Sequence, residues 1–316
     1  YHLRIAEVTD GESEASQEAT GANNERTVVV DRGQGPYRIL YVAGRPDWEF
    51  AFQGRSGESV RENAPAGIFG AWDETGRFLN LAVLVGAAEG LGFGESIGRL
   101  IDEDRIVLPS PERLRQWVAA DPAHALAGAR ADLLRTMNAF GLQAGTLAVP
   151  HRFKQCSVPA CAYRHGTPFT VHPGIGYDII HEHPNCDGAA LGAASYTDFL
   201  IFAKVVEQLG QGVVMNFGSA VMAPEIFLKA LAMVRNVACR RGENRAGFTM
   251  LVCDLHNLPA GYRREAPKDN PDYYFRPWKT MLVRTVADGG ASCYVKGDHA
   301  TTVPELWTAV RNRSAL

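Results

Sequence analysis

Four stretches of this chain gather side chains that can do chemistry. The first, GIGYDIIHEHP, sets Gly174 and Gly176 ahead of Asp178, His181 and His183, with Asp187 close behind. Glycines let a backbone turn tightly and approach a ligand. A carboxylate in such a turn can hold a cation or a ribose, and a histidine can move protons near neutral pH. The same residues also suit a structural role, with Asp178 capping a helix and the histidines hydrogen-bonded and partly buried. His172, His181, His183 and Asp187 together offer the donors that zinc or iron takes. HEH is not the H-E-x-x-H spacing, however, and neighbours two apart on a helix do not share a face.

The second stretch, NFGSAVMAPE, reads as a strand, a turn at Gly218 and Ser219, and a helix start with Pro224 and Glu225. That arrangement can cradle an anion or a dinucleotide at the helix N-terminus. One glycine equally suits an ordinary strand–helix turn. In the third, PDYYFRPWKT, Lys279 follows Trp278 in an aromatic setting. A desolvated lysine is a nucleophilic amine, whereas a solvated one beside packed aromatics is not. The fourth, GDHATTVPELW, places Asp298 and His299 in a turn before the last helix, with Thr301 or Thr302 as alternative caps.

These residues need a scaffold, and the pattern predicts one. The chain has 316 residues, 46% hydrophobic, enough for one large core. Residues 1–30 read as a flexible or atypical N-terminal segment and 31–316 as one α/β domain. Strands are expected at Arg26–Asp31, Tyr37–Gly44, Phe169–Val171, Gly212–Phe217, Phe248–Asp254, Thr280–Val286 and Ala291–Val295. Helices are expected around Gly57–Glu62, from Asp73 to about Ala88, over Glu95–Asp102, from Pro111 behind a Ser110 cap, from Asp121-Pro122 to about Phe140, and over Tyr196–Leu209, Glu225–Ala238 and Val303–Arg311. Gly141–Pro159 reads as irregular. Apolar strands alternating with helices predict a Rossmann-like, doubly wound, mostly parallel sheet with helices on both faces. Polar groups at the strand ends would then form the site.

Composition narrows the partners. A net charge of −3 without a basic stripe argues against nucleic acid. No apolar run reaches the ~18 residues of a membrane span. Six cysteines without a C-x-x-C pair suggest thiols in a reducing, cytoplasmic setting. Beginning at Tyr1, the chain reads as a fragment or a processed product.

The four stretches, in this order, resemble the deoxyhypusine synthase family, over roughly residues 40–310. IGYD with HEHP is similar to that family's acidic segment followed by a histidine, here Asp178 and His183. QGVVMNFGSAV resembles its strand and glycine-rich turn. WKT resembles its Trp-Gly-Lys, whose lysine forms a covalent imine, and YVKGDHATTVPELW resembles its closing strand and helix. AGRPDWEFAFQG, with Asp47 and Glu49, resembles an early acidic segment. ETGRFLN and GLGFGESIGR are similar to the bacterial deoxyhypusine synthase-like branch. The resemblance implies NAD, a homo-oligomer (dimer or tetramer), and aminobutyl transfer from a polyamine to an amine. It implies Lys279 and His183 as catalytic, Asp178, Trp278 and Asp298 as polyamine-binding, and Gly174, Gly176, Gly218, Ser219 and Glu49 as NAD-binding. Two departures stand out. MAPE lacks the family's histidine after the glycine-rich turn, and Lys279 directly follows Trp278. The stretch VVVDRGQGPYRILYVAGRPDWEF instead resembles glutamine amidotransferase-like regions. A degenerate, non-catalytic nucleotide- or partner-binding member is therefore a second reading, and a metal-dependent hydrolase a third.

Overall fold

The computed structural model describes residues 2–4, 25–27, 39–43, 76–176, 178–244 and 247–314. Asp47, Glu49, the helix expected around Gly57–Glu62, and residues 5–24 and 28–30 of the segment expected to be flexible lie outside them. Contacts divide the chain into two compact units, one of residues 46–202 and one of residues 1–45 with 203–316. At the start of the chain β1 (His2–Arg4) pairs antiparallel with β2 (Glu25–Thr27), and β3 (Ile39–Ala43) belongs to a different sheet.

The unit of residues 46–202 is mainly helical. Helix α1 (Phe78–Glu89) is buried almost all round, which its sequence FLNLAVLVGAAE allows because only Asn80 and Glu89 are strongly polar. It stops at Gly90, whose left-handed φ of 88° returns its N–H to Ala87 O and Gly86 O. Helix α2 (Phe93–Glu103) follows, then β4 (Arg105–Leu108). Helix α3 (Pro111–Ala120) starts as expected, with Ser110 accepting from Arg113 N–H and Pro111 in the first turn. After α4 (Ala127–Ala139), β5 (Gly145–Ala148) pairs antiparallel with β4. This strand lies in the stretch expected to be irregular. It is mostly exposed, so it lacks the apolar alternation that marks a strand in sequence. Helix α5 (Val158–Arg164) then packs on α2.

One buried carboxylate organises this unit. Helix α6 (Gly188–Glu207) carries Asp198, which is 0% exposed. Its Oδ2 accepts from Gly94 N–H at 2.8 Å and Val171 N–H at 2.7 Å. The side chain thus caps α2, whose own N-cap, Gly92, has no side chain to offer. A Cβ on Gly92 would stand 1.8 Å from Asp198 Oδ1, so only glycine admits the carboxylate. The same bond explains why Phe169–Val171 is not a strand. The Val171 N–H that a ladder would use is already taken. Among the described residues α6 is long and apolar enough to cross a membrane by length and composition. Sequence runs had suggested no such segment.

In the other unit the parallel sheet is the framework. Strand β6 (Val213–Phe217) leads to α7 (Met222–Arg240), β7 (Thr249–Asp254), β8 (Ala291–Lys296) and α8 (His299–Ser314). The sheet order is β3-β6-β7-β8, every pairing parallel, in chain order and without reversal among the described strands. One face buries Met215, Phe217, Leu251, Cys253, Cys293 and Val295, with Leu306 of α8 against it. The other buries Val214, Met250 and Val252, and Phe248 meets Phe227 of α7 edge-on at 5.7 Å. The protein is therefore an α/β protein with a parallel sheet flanked by helices.

The expected strand Thr280–Val286 is instead part of a π-helix, Pro277–Arg284. Pro277 suits a first turn, and Trp278, Met281 and Leu282 are buried at helical spacing. The apolar run was one helix face rather than a strand.

Burial pushes the Asp198 carboxyl up from 3.8 to about 7, against the backbone N–H donors that favour its charged form. Between those values the folded chain keeps a proton that the unfolded chain releases. Asp198 thus adds stability below about pH 4 and loses it as pH rises through 7. In urea unfolding followed by amide exchange in α2, the protein should lose stability relative to Asp198→Asn as pH rises from 4 to 7. Parallel profiles would show that this carboxyl does not titrate there. Asp198→Ala, which orphans the N–H groups, should cost roughly 1–3 kcal/mol.

Candidate functional site

The carboxyl ends of β6, β7 and β8 gather polar groups that the buried faces exclude. At the end of β6, Gly218 takes a left-handed φ of 67°, and its N–H donates to Cys253 O at 3.1 Å. Ser219 is buried, and its Oγ accepts from Ala223 N–H to cap α7. At the end of β8, Asp298 Oδ1 accepts from Ala300 N–H at 2.8 Å and opens α8. His299 then folds back over the first turn. Its ring lies edge-on to Phe217 at 5.9 Å, and a Cβ on Gly218 would meet its Nε2 at 2.9 Å. So Gly218, Ser219 and Asp298, singled out in sequence, share one edge of one unit.

Among the buried polar atoms at this edge without a hydrogen-bond partner are Asn216 Oδ1, His299 Nδ1 and Thr302 Oγ1. Each such atom in a dry interior is costly. Their concentration at one sheet edge marks a place for water or a ligand. Asn216 was not singled out in sequence, because one asparagine in the strand VVMNF carries no motif.

β7 contributes a second polar group. Asp254 Oδ1 accepts from His256 N–H at 3.0 Å, and His256 Nε2 lies 3.1 Å from Asp272 Oδ1. Phe275 stacks on the His256 ring at 4.6 Å, and Tyr294 Oη donates to His256 O. The imidazole thus lies beside a carboxylate, although Nε2 makes no hydrogen bond to it. The D-x-H spacing at the end of a strand was the available signal. Cys253 offers no thiolate here, since burial pushes its thiol up to about 12.

Trp278 and Lys279 part company. Trp278 is 3% exposed, and its Nε1 donates to Arg264 O at 2.9 Å. Lys279 is half-buried, with Nζ 3.4 Å from the centre of the Tyr273 ring and 4.8 Å from that of Tyr274. The nearby ammonium holds the Tyr273 phenol below its usual range.

The remaining candidates lie in the unit of residues 46–202. Gly176 needs its glycine, with φ 104° and its N–H bonded to His181 Nδ1 at 3.1 Å. Gly174 has no left-handed φ. Asp178 precedes a short 3-10 helix, Ile179–Glu182, and makes no side-chain cap to it. His183 Nδ1 lies 2.6 Å from Asn185 Oδ1, and Asn185 Nδ2 donates to Arg77 O. Asn80 Nδ2 donates to both Ile180 O and Asn185 Oδ1, which fastens the loop to α1. A Cβ on Gly76 would stand 2.5 Å from His183 Cβ. Asp187 pairs with Arg135 and accepts from Ala190 N–H. Burial drives the His172 imidazole down to about 4. Among the described residues no group of three or more His, Cys, Asp or Glu could hold a metal ion.

Compared with protein families, with curated proteins and with solved structures, the chain matches none.

Gly218→Ala should destabilise the protein by roughly 1–3 kcal/mol, from the left-handed φ together with the His299 contact. In a His299→Ala background only the backbone part should remain. A double-mutant cycle in urea reads the difference, and equal costs in both backgrounds would show that the ring does not press on this turn.

Proposed function

We propose that the chain is an NAD-dependent transferase that moves an aminobutyl group from a polyamine to an amine acceptor. The proposal includes a Rossmann-like, doubly wound reading of the sheet, assembly as a homo-oligomer, and membership of the deoxyhypusine synthase-like group that the sequence resembles. One observation carries it: Gly218, Ser219 and Asp298 meet at the carboxyl edge of a parallel sheet, beside buried polar atoms without partners. Such edges are where open α/β sheets bind nucleotides.

The residues present suit a dinucleotide. Asn216 Oδ1, His299 Nδ1 and Thr302 Oγ1 are polar atoms awaiting partners, and the Asp298 carboxylate suits ribose hydroxyls. When bound, NAD would supply the oxidising step on the amine. Lys279 Nζ would attack the oxidised carbon and expel the rest of the polyamine as a free amine. The acceptor amine would then attack the same carbon and expel Nζ, and the hydride withdrawn at the start would return to the new C=N bond. For the first attack, Nζ must leave the Tyr273 and Tyr274 rings. Those rings can then receive an ammonium group of the polyamine in its place. Trp278, being buried and bonded to Arg264 O, anchors Lys279 rather than stacking on substrate. His256, whose Nε2 lies 3.1 Å from Asp272 Oδ1, is a candidate proton carrier at this edge.

The lysine's seat on two tyrosines also favours the second reading, a non-catalytic nucleotide-binding member. Borohydride trapping with NAD and spermidine separates the two. A transferase should yield an adduct on Lys279, lost in Lys279→Arg with NAD binding unchanged. NAD binding without an adduct supports the second reading, and absence of NAD binding by mass spectrometry and titration overturns both.

A further inference from the structure

An open groove of about 540 Å³ lies at the other end of the same sheet, by Thr249 and Ala291, the first residues of β7 and β8. That volume falls within the roughly 300–1,000 Å³ of small-molecule sites. Leu282, Val283, Val286 and Ala287 give it an apolar wall. They come from the π-helix and the turn after it, a helix form that is rare and often found at functional sites.

Arg263 brings the charge. Its guanidinium stands 5.1 Å from the Tyr262 ring centre, and its Nε donates to Ser292 O at 3.3 Å. β8 ends the sheet among the described strands. Ala291 and Gly297 donate inward, to Phe248 O and Asp254 O, so alternation turns the Ser292 carbonyl outward. Arg263 is therefore tied to the strand edge through Nε, and its terminal nitrogens remain. Glu265, two residues on, is engaged with Arg284, and Asp288 with Arg235. Arg263 has no carboxylate partner among the described residues. A guanidinium fixed at Nε presents its remaining N–H groups as a planar fork, the shape that a carboxylate matches.

We propose that this groove binds a small amphipathic carboxylate. Its headgroup meets the Arg263 terminal nitrogens, and its apolar body lies on Leu282, Val283, Val286 and Ala287. The site stands apart from the carboxyl edge and does not depend on the transferase reading.

Octanoate and the uncharged octanol serve as probes, titrated into the full chain by calorimetry and amide NMR. Octanoate should bind saturably and shift the amides of Gly290, Ala291 and Ser292. Octanol should bind roughly ten-fold or more weakly, the loss of a charge-assisted hydrogen bond. Arg263→Gln should weaken octanoate by a similar factor with little change in Tm. Ala287→Phe, at an exposed turn, should block both probes and provides a second test should the Arg263 variant fold poorly. Equal affinity for the two probes, unchanged octanoate binding in either variant, or no saturable binding up to about 10 mM (the millimolar range being the weak limit of specific recognition) would overturn the proposal.

Discussion

A parallel sheet with both faces buried has only its strand ends at which to present polar groups. That constraint governs the unit built on β3, β6, β7 and β8. Val214, Met250 and Val252 are completely buried on one face, while Phe217, Cys253 and Val295 are buried on the other. The charged groups and the turns are displaced to the ends. Gly218, Asp254, His256, Asp298 and His299 stand at the carboxyl end, while Arg263 and its groove stand at the amino end. The parallel arrangement makes the carboxyl end a single shelf, because every strand runs out in the same direction and every turn into the next helix begins there.

The unit of residues 46–202 answers to a different constraint, the satisfaction of buried backbone. Gly92 and Gly94 let the chain approach so closely that a side chain from α6 must supply the cap for α2. Asp198 does so and pins Val171 as well. The loop that follows is fastened in a similar manner, through Asn80, Asn185 and His183. Its dense histidines and carboxylates look like a reaction centre in sequence. In space they are engaged in holding the chain: Asp187 with Arg135, His181 with the Gly176 N–H, and His183 with Asn185. Polar residues close in sequence can be ligands of backbone as readily as of a metal.

What was legible in the sequence follows from these two constraints. Strands β6, β7 and β8 and helices α3 and α7 could be read because their apolar periods or caps are local signals. Ser110-Pro111 announced a helix start that tertiary structure did not need to create. The failures are non-local. Val171 leaves the strand class because of a carboxylate 27 residues away. The run from Thr280 was apolar at both spacings, and only the burial of Trp278, Met281 and Leu282 on one side decides for a helix. The same holds for the site. Gly218 and Asp298 were visible as turn residues. The approach of His256 to Asp272 and the tyrosine seat of Lys279 depend on the loop after β7 folding back, for which no short motif exists.

That loop is where the chemistry of the carboxyl edge is decided. Within residues 270–279 it supplies the carboxylate beside His256, the Phe275 ring tilted against that imidazole, the two tyrosines that hold an ammonium, and the lysine that occupies them. The lysine and any cationic substrate compete for the same π faces, since each ring offers its favourable electrostatics to one ammonium at a time. The competition has a direct consequence. On the transferase proposal, a polyamine ammonium that took the tyrosines would displace Nζ, and the displaced amine would remain attached to a helix anchored by Trp278. Substrate binding would then release the nucleophile next to the molecule it must attack. A neutral ligand cannot produce that release, because it offers the rings nothing in exchange for the lysine.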